Sequence, residues 1–287
     1  MILLKLRIWF YYFRRDIRRF YLLKKILRFG SNVNGIERFK KEIEYLKENG
    51  LVIFPYSFEK KYRTKEVKVE YLDGFPYVDY FGKDMFFQKI HSTNHVQHYF
   101  NSILLEQDLD SPHRYCSDIF TVKENDTILD LGVAEGNFSL YYVEKAKKIY
   151  LFESSKRWIE ALEKSFNPFL SKVEIINKEV ADSSAESKIA LDDLQELQNQ
   201  SLFVKIDVDG AERSVLSGMR NLLENATNIK VAICTYHRQE DATEFEIFFK
   251  NLGYETEFTP GFMLFFHDKK LKPPYFRKGV LRAWKAN

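Results

Sequence analysis

Apolar residues at the start of the chain recur at steps of three and four: Leu3, Leu6, Phe10, Phe13, Ile17, Phe20, Leu23 and Leu27. Arg7, Arg14, Arg15, Arg18, Lys25 and Arg28 mostly fall between them. This period predicts an amphipathic helix over 1–29. Gly30 to Gly35 breaks the pattern, 36–49 resumes it, and Gly50 ends it. Short runs rich in β-branched and aromatic residues follow at 52–56, 67–72, 77–81 and 85–90. Asp73-Gly74 and Gly82-Lys83 separate the last three and predict a meander. The helical period returns over 93–106.

From Asp126 the pattern alternates. Segments 127–132, 149–153, 173–181, 202–207 and 229–236 read as strands, with helices at 138–146, 157–166, 213–223 and 243–252. The runs 254–258 and 262–266, joined through Pro260-Gly261, read as a closing hairpin. Repeated βα units predict a parallel sheet with helices on both faces, here with an antiparallel last strand. Four regions result: a basic amphipathic helix (1–29), an α+β accessory region (30–119), an α/β domain (120–267) and a basic C-terminal tail (268–287).

Composition narrows the class. With 287 residues, 45% hydrophobic and 16% aromatic, the chain carries enough apolar surface for a packed core, which excludes fibrous and disordered readings. Cys116 and Cys234 match neither a disulfide framework nor a Cys-x-x-Cys spacing, so a reducing, cytoplasmic setting is expected. The overall charge of +3 is unevenly spread: 1–29 carries +8, 268–287 carries +6, and the body between carries −11. An acidic body disfavours nucleic acid as a partner. The first helix has no charge-free stretch long enough to span a bilayer and no cleavage signal behind it. It is expected either to lie on anionic lipid at the inner membrane face, with Trp9, Tyr11 and Tyr12 at its margins, or to pack on protein. The oligomeric state stays open.

The first βα turn holds the strongest chemical signal. Asp130-Leu131-Gly132-Val133-Ala134-Glu135-Gly136-Asn137-Phe138-Ser139 places an acid in a strand and then small residues where a ligand can approach the backbone. A dinucleotide fingerprint requires glycine where Ala134 and Asn137 stand, which disfavours a nicotinamide oxidoreductase. An early acid instead suits a donor bearing an amino group, as the methionine part of S-adenosylmethionine does. Glu153, at the end of the next strand, is placed to accept both hydroxyls of an adenosine ribose.

These residues, with Val204-Lys205-Ile206-Asp207-Val208-Asp209-Gly210-Ala211-Glu212 and Val215-Leu216-Ser217-Gly218, resemble the FkbM-type S-adenosylmethionine-dependent methyltransferases. Asp209 stands where that family more often has glutamate. The resemblance covers about 120–267 and implies a seven-stranded Rossmann-like, class I methyltransferase sheet, S-adenosylmethionine as donor, and O-methylation, often of sugar hydroxyls. Expected donor contacts are Asp130, Gly132, Ala134, Glu135, Gly136, Asn137, Phe138, Glu153 and Asp182. Glu106, His113 and Tyr115, from a polar segment that could fold over the site, and Glu212 are expected to meet a sugar-containing acceptor. A noncatalytic, membrane-associated adaptor on the same body is the competing reading.

A sugar hydroxyl needs a base. Asp207 and Asp209 after the fourth strand and His237 after the fifth are the candidates; His237, as a neutral imidazole, is expected to serve, with Asp207 orienting it or the acceptor. No metal is assigned, although Asp207, Asp209 and His237 could alternatively bind a divalent cation. His91, His95 and His98 share a helical side, but a packing or surface role is the commoner outcome for such a trio.

Overall fold

The computed structural model describes residues 2–30, 33–62 and 66–285, with side chains described from residue 14 in the first helix and residue 37 in the second. Two helices come first, α1 (Ile2–Gly30) and α2 (Val33–Asn49), the latter kinked at Phe39. The expected roles of Leu3, Leu6, Arg7, Trp9, Phe10, Tyr11, Tyr12 and Phe13 concern side chains outside the described residues. Further along α1, Leu22, Leu23, Ile26 and Phe29 pack against Phe39 and Leu46 of α2 and against Leu264, Tyr275 and Phe276. Ile17 and Phe20, expected on the same apolar face, are exposed, as is Tyr21.

The meander forms as β1 (Glu70–Leu72), β2 (Phe75–Asp79) and β3 (Asp84–Phe86), paired antiparallel in that order. Residues 52–56 are not a strand; they run beside the C-terminal region, where Leu264 N–H donates to the Ile53 carbonyl (2.8 Å). Helix α3 (Thr93–Glu106) opens on Ser92, whose hydroxyl accepts from His95 N–H.

The α/β body follows: β4 (Thr127–Leu131), α4 (Asn137–Tyr142), β5 (Lys148–Phe152), α5 (Lys156–Phe166), β6 (Val173–Ile176), a two-stranded spur of β7 (Glu179–Val180) and β8 (Lys188–Ile189), and β9 (Leu202–Ile206). After these come α6 (Glu212–Gly218), α7 (Arg220–Asn225), β10 (Ile229–Cys234), α8 (Asp241–Asn251), β11 (Glu255–Phe258) and β12 (Val280–Trp284). The main sheet has seven strands in the order β11-β12-β10-β9-β4-β5-β6, with β12 antiparallel to both neighbours. One apolar layer holds α3, α4 and α5 against the sheet; a second holds α6, α7 and α8 against the other face.

Two boundaries need correction. Residues 262–266 do not form the seventh strand: Met263 makes only an isolated bridge, to Arg277. The seventh strand is β12, which lies within 268–287, the segment expected as a tail. Arg282 interrupts the apolar run Val280-Leu281-Ala283, but it is 4% exposed and its charge is met by three backbone carbonyls. The chain therefore closes its sheet at Trp284.

From β4 the chain moves outward through β5 to β6, then returns to β9 beside β4 and moves the other way. This reversal leaves a crevice at the carboxyl ends of β4 and β9, where open α/β sheets bind ligands.

Candidate active site

Gly132 follows β4 and faces the carboxyl end of β9. Its φ is +76°, and a Cβ there would sit 2.0 Å from the Asp207 carbonyl oxygen, so both conformation and space require glycine. Ala134 also takes a left-handed φ, +50°, an uncommon conformation for a residue with a side chain. It turns its N–H onto Glu153 Oε2 at 2.9 Å, while Ser155 N–H donates to Glu153 Oε1 at 2.7 Å. The Glu153 carboxylate is thereby fixed on the cleft wall.

That cleft measures about 540 Å³ and is lined by Gly132, Ala134, Glu153, Trp158, Asp207 and Asp209, among others. A recess of about 130 Å³ shares Tyr99, Gly132, Ala134 and Asp207 with it and adds Glu106, Tyr115, Glu135, Asn137 and Lys205. Side chains do not plug the hollow, and Glu153 faces it. Its walls carry more carboxylates than cations, which suits a cationic ligand. The residues present therefore fit a sulfonium donor bearing a ribose.

Asp130 sits differently from expectation. It is 1% exposed, accepts from Ser139 Oγ (2.7 Å) and pairs with Lys205 Nζ (3.1 Å), its direct register partner on β9. Lys205 also donates to the Gly132 carbonyl (2.6 Å). Burial alone would lower the lysine pKa, yet Asp130 and Asp207 outweigh it and hold the ammonium charged. Asp130 thus braces the loop through Lys205 and lies beneath the ligand surface. Phe138 is likewise core, its ring against Tyr115 and Phe203. Asp182 is exposed and does not line the cleft; its N–H donates to Ser214 Oγ. Gly136 caps α4 with φ +81°.

Asp207 is the hub. Its carboxylate accepts from Tyr115 Oη (2.9 Å) and Tyr236 Oη (3.3 Å), and His113 Nε2 lies 3.4 Å away. Burial opposes the charge, but His113 and Lys205 hold its pKa well below the ordinary carboxylate range. His113 is 2% exposed and touches Tyr236 Oη as well, so it positions Asp207 from behind, whereas Tyr115 and Glu106 reach the recess. Burial pushes the Glu106 carboxyl up and lifts Glu135 to about 7, although Tyr99 Oη donates to Glu135 at 2.8 Å.

His237 does not meet the expectation of a neutral imidazole. Burial works against its charge, but Asp209 and Glu212 push it up to about 10. Glu212 is wholly buried and cannot meet an acceptor; Oε1 accepts from the Val208 and Gly210 N–H groups and lies 2.9 Å from His237 Nδ1. Asp209, at φ +52°, is fully exposed at the cleft. The His91, His95 and His98 trio is not a ligand set: His91 and His95 pack ring to ring at 4.3 Å, and the candidate cation clusters among the described residues lie elsewhere.

Tyr99, Trp158, Lys205 and Tyr236 escaped the sequence reading. Lys205 carried a signal, a lone cation inside an apolar strand, which demands a buried partner. Tyr99 and Trp158 belong to no motif and meet only through the fold, with ring centroids 6.0 Å apart.

The sequence profile of the methyltransferase FkbM domain matches residues 94–256. The chain belongs to that family. FkbM membership carries S-adenosylmethionine-dependent methyl transfer with it. No curated protein sequence matches the chain. Solved structures with similar folds include a precorrin-6y C5,15-methyltransferase from Geobacter metallireducens (14% identity, 57% of this chain and 82% of that one, TM-score 0.40). A precorrin 8W decarboxylase from Methanobacterium thermoautotrophicum (13%, 57% and 83%, 0.39) and an rRNA methylase from Streptococcus thermophilus (11%, 69% and 99%, 0.37) are similar at the same level. Likenesses this distant carry no inference about substrate.

Proposed function

We propose that this FkbM protein is an O-methyltransferase acting on a hydroxyl of a sugar-containing acceptor. The observation that carries the reading is the Glu153 carboxylate on the wall of the cleft that also exposes the Gly132 and Ala134 backbone and the Asp207 carboxylate. Glu153 would hold the ribose hydroxyls of S-adenosylmethionine, and the Gly132–Asn137 turn its methionine end. Bound there, the donor supplies an electrophilic methyl on a sulfonium that departs as a neutral thioether. The chain must then hold an acceptor oxygen in line, about 3 Å from that carbon, and take its proton. A protonated His237 cannot accept one, so the base falls to a recess carboxylate. Glu106, which lines the recess and whose carboxyl burial pushes up, is the candidate, with Asp207 and Tyr115 orienting the acceptor.

Calorimetry of S-adenosylhomocysteine binding tests the donor site. Glu153→Ala, which removes a charged hydrogen-bond acceptor worth about 1.5–3 kcal/mol, should weaken binding roughly 10- to 150-fold. Unchanged affinity would overturn the assignment. Methyl-labelled donor offered to a panel of sugar acceptors tests the reaction, and Glu106→Gln should lower turnover while keeping donor affinity. Donor binding without product across the panel would favour the noncatalytic adaptor.

The exposed face of α1 supports attachment to an anionic membrane surface. Ile17, Phe20 and Tyr21 stand in solvent beside exposed Arg14, Arg15, Arg18, Lys24 and Lys25. No described helix is long and apolar enough to cross a membrane. Flotation with anionic vesicles tests the attachment, and binding equal to that of neutral vesicles would sink it.

A further inference from the structure

Polar atoms buried without partners collect at one point beneath the cleft. His237 Nδ1 and Nε2 and Glu212 Oε2 make no hydrogen bond of ordinary geometry, although His237 is 6% and Glu212 0% exposed at the side chain. Leaving three such atoms unsatisfied costs about 1–3 kcal/mol each, more where charge is involved. Around them, Asp207, Glu212 and His237 offer donor atoms that all lie within 4.8 Å of one another. His237 Nε2 lies 3.7 Å from Asp207 Oδ1 and 3.6 Å from Asp209 Oδ1. Those gaps are too long for hydrogen bonds. They come close to the separation of roughly 3–3.5 Å between two ligands that each stand about 2.1 Å from a shared ion. Behind the ring, Glu212 Oε1 at 2.9 Å from Nδ1 occupies the place from which a carboxylate orients a metal-bound imidazole.

We propose that the carboxyl ends of β9 and β10 form a divalent-cation site, with His237 Nε2, Asp207 and Asp209 as ligands and Glu212 as the carboxylate that orients the imidazole, the incoming ion displacing the Nε2 proton to solvent. One nitrogen with two carboxylate oxygens favours a transition cation such as Mn²⁺ or Zn²⁺ over Mg²⁺, which prefers oxygen alone. Asp207 and Asp209 line the cleft, so the ion's remaining positions open toward it. Resting on the methyl-transfer reading, the ion's task is to bind the acceptor hydroxyl oxygen and ease loss of its proton to a recess carboxylate.

The test is titration of the full, chelator-treated chain with Mn²⁺ alone, followed by calorimetry, with Zn²⁺ and Mg²⁺ in parallel. Saturable Mn²⁺ or Zn²⁺ binding tighter than Mg²⁺ binding is expected. Glu212→Gln should weaken it roughly 10- to 100-fold. Because Glu212 is buried and its loss could harm folding, Asp209→Asn, at a fully exposed position, serves as the second variant and should also weaken binding. No saturable binding, or affinity untouched by Asp209→Asn, overturns the site. Absence of metal binding by the unsubstituted chain, with its S-adenosylhomocysteine affinity intact, would sink this inference and leave the methyltransferase reading standing.

Discussion

The two ends of the chain look alike in sequence, both strongly basic and both studded with aromatic residues, yet the structure uses them in opposite ways. At the C-terminal end the arginines are buried and wired into the site. Arg277 Nη1 donates to the carbonyls of Tyr236 (2.7 Å) and His237 (2.9 Å), with Asp268 neutralising it. Arg282 donates to the carbonyls of Arg114, Tyr115 and Cys116. These two side chains pin the loops that present Tyr115 and Tyr236 to Asp207. At the other end, Arg14, Arg15 and Arg18 are exposed, whereas Arg19 donates to the Leu51 carbonyl at 2.9 Å. A cation is structural when it satisfies buried carbonyls and merely adds field when it is exposed. Charge counting alone does not separate the two cases.

The largest effect that could break this contrast comes from ending the chain after Lys278. Without 279–287, β10 and β11 lose the strand between them, along with the fully buried Val280, Leu281 and Ala283. Each large apolar side chain buried there contributes about 1.5–3 kcal/mol, against a total stability of about 5–15 kcal/mol. The truncated chain should lack a cooperative thermal transition by circular dichroism. A native-like melt would show that the segment is a tail after all.

Lys205→Met sharpens the same point inside the sheet. Removing the ammonium strands Asp130 in the core, which should cost about 3–5 kcal/mol in urea denaturation. Combining it with Asp130→Asn should recover part of that loss, since no uncompensated charge then remains. Additive losses in the double variant would deny the pairing.

The legibility of the sequence follows the same division. The parallel strands β4, β5, β9 and β10 were readable because both of their faces are largely buried, so each is a mostly apolar run, broken by Asp130 in β4 and Lys205 in β9. Gly132 was readable because the turn after β4 leaves no room for a Cβ, and Glu153 because it is an acid at the end of the next strand. β12 was hidden by Arg282, whose charge is tolerated only because carbonyls from residues 114 to 116 reach it, a contact spanning more than half the chain. His237 was visible as a residue but not in its charge state, which depends on Asp209 and Glu212 folding around it. Asp130 was read as a ligand contact because its partner Lys205 is a register neighbour on a strand distant in sequence.

A smaller effect comes from an acid whose burial outweighs the nearby Lys205 charge. Burial lifts the Glu135 carboxyl from 4.5 to about 7. A raised carboxyl binds its proton more tightly in the folded chain. Its contribution to stability is therefore full below about pH 4.5 and is lost as pH rises through about 7. Glu135→Gln should flatten the stability profile across that window by up to about 3 kcal/mol, measured by urea denaturation at several pH values. An unchanged slope would mean that the carboxyl is already ionised in the fold.

The smallest expected effect on stability belongs to the exposed end. Arg14, Arg15 and Arg18 are all exposed, so reversing them to glutamate should change folding by no more than about 0.5 kcal/mol. Vesicle binding should respond far more. Each basic residue near an anionic surface is worth about 1 kcal/mol, so losing three weakens partition roughly a hundredfold before the added repulsion is counted. Raising salt should erase the difference between wild type and variant, because exposed charges are screened over about 10 Å. If the reversal instead lowers the melting temperature as Lys205→Met does, the outer face of α1 is packed on protein, and the two basic ends are alike after all.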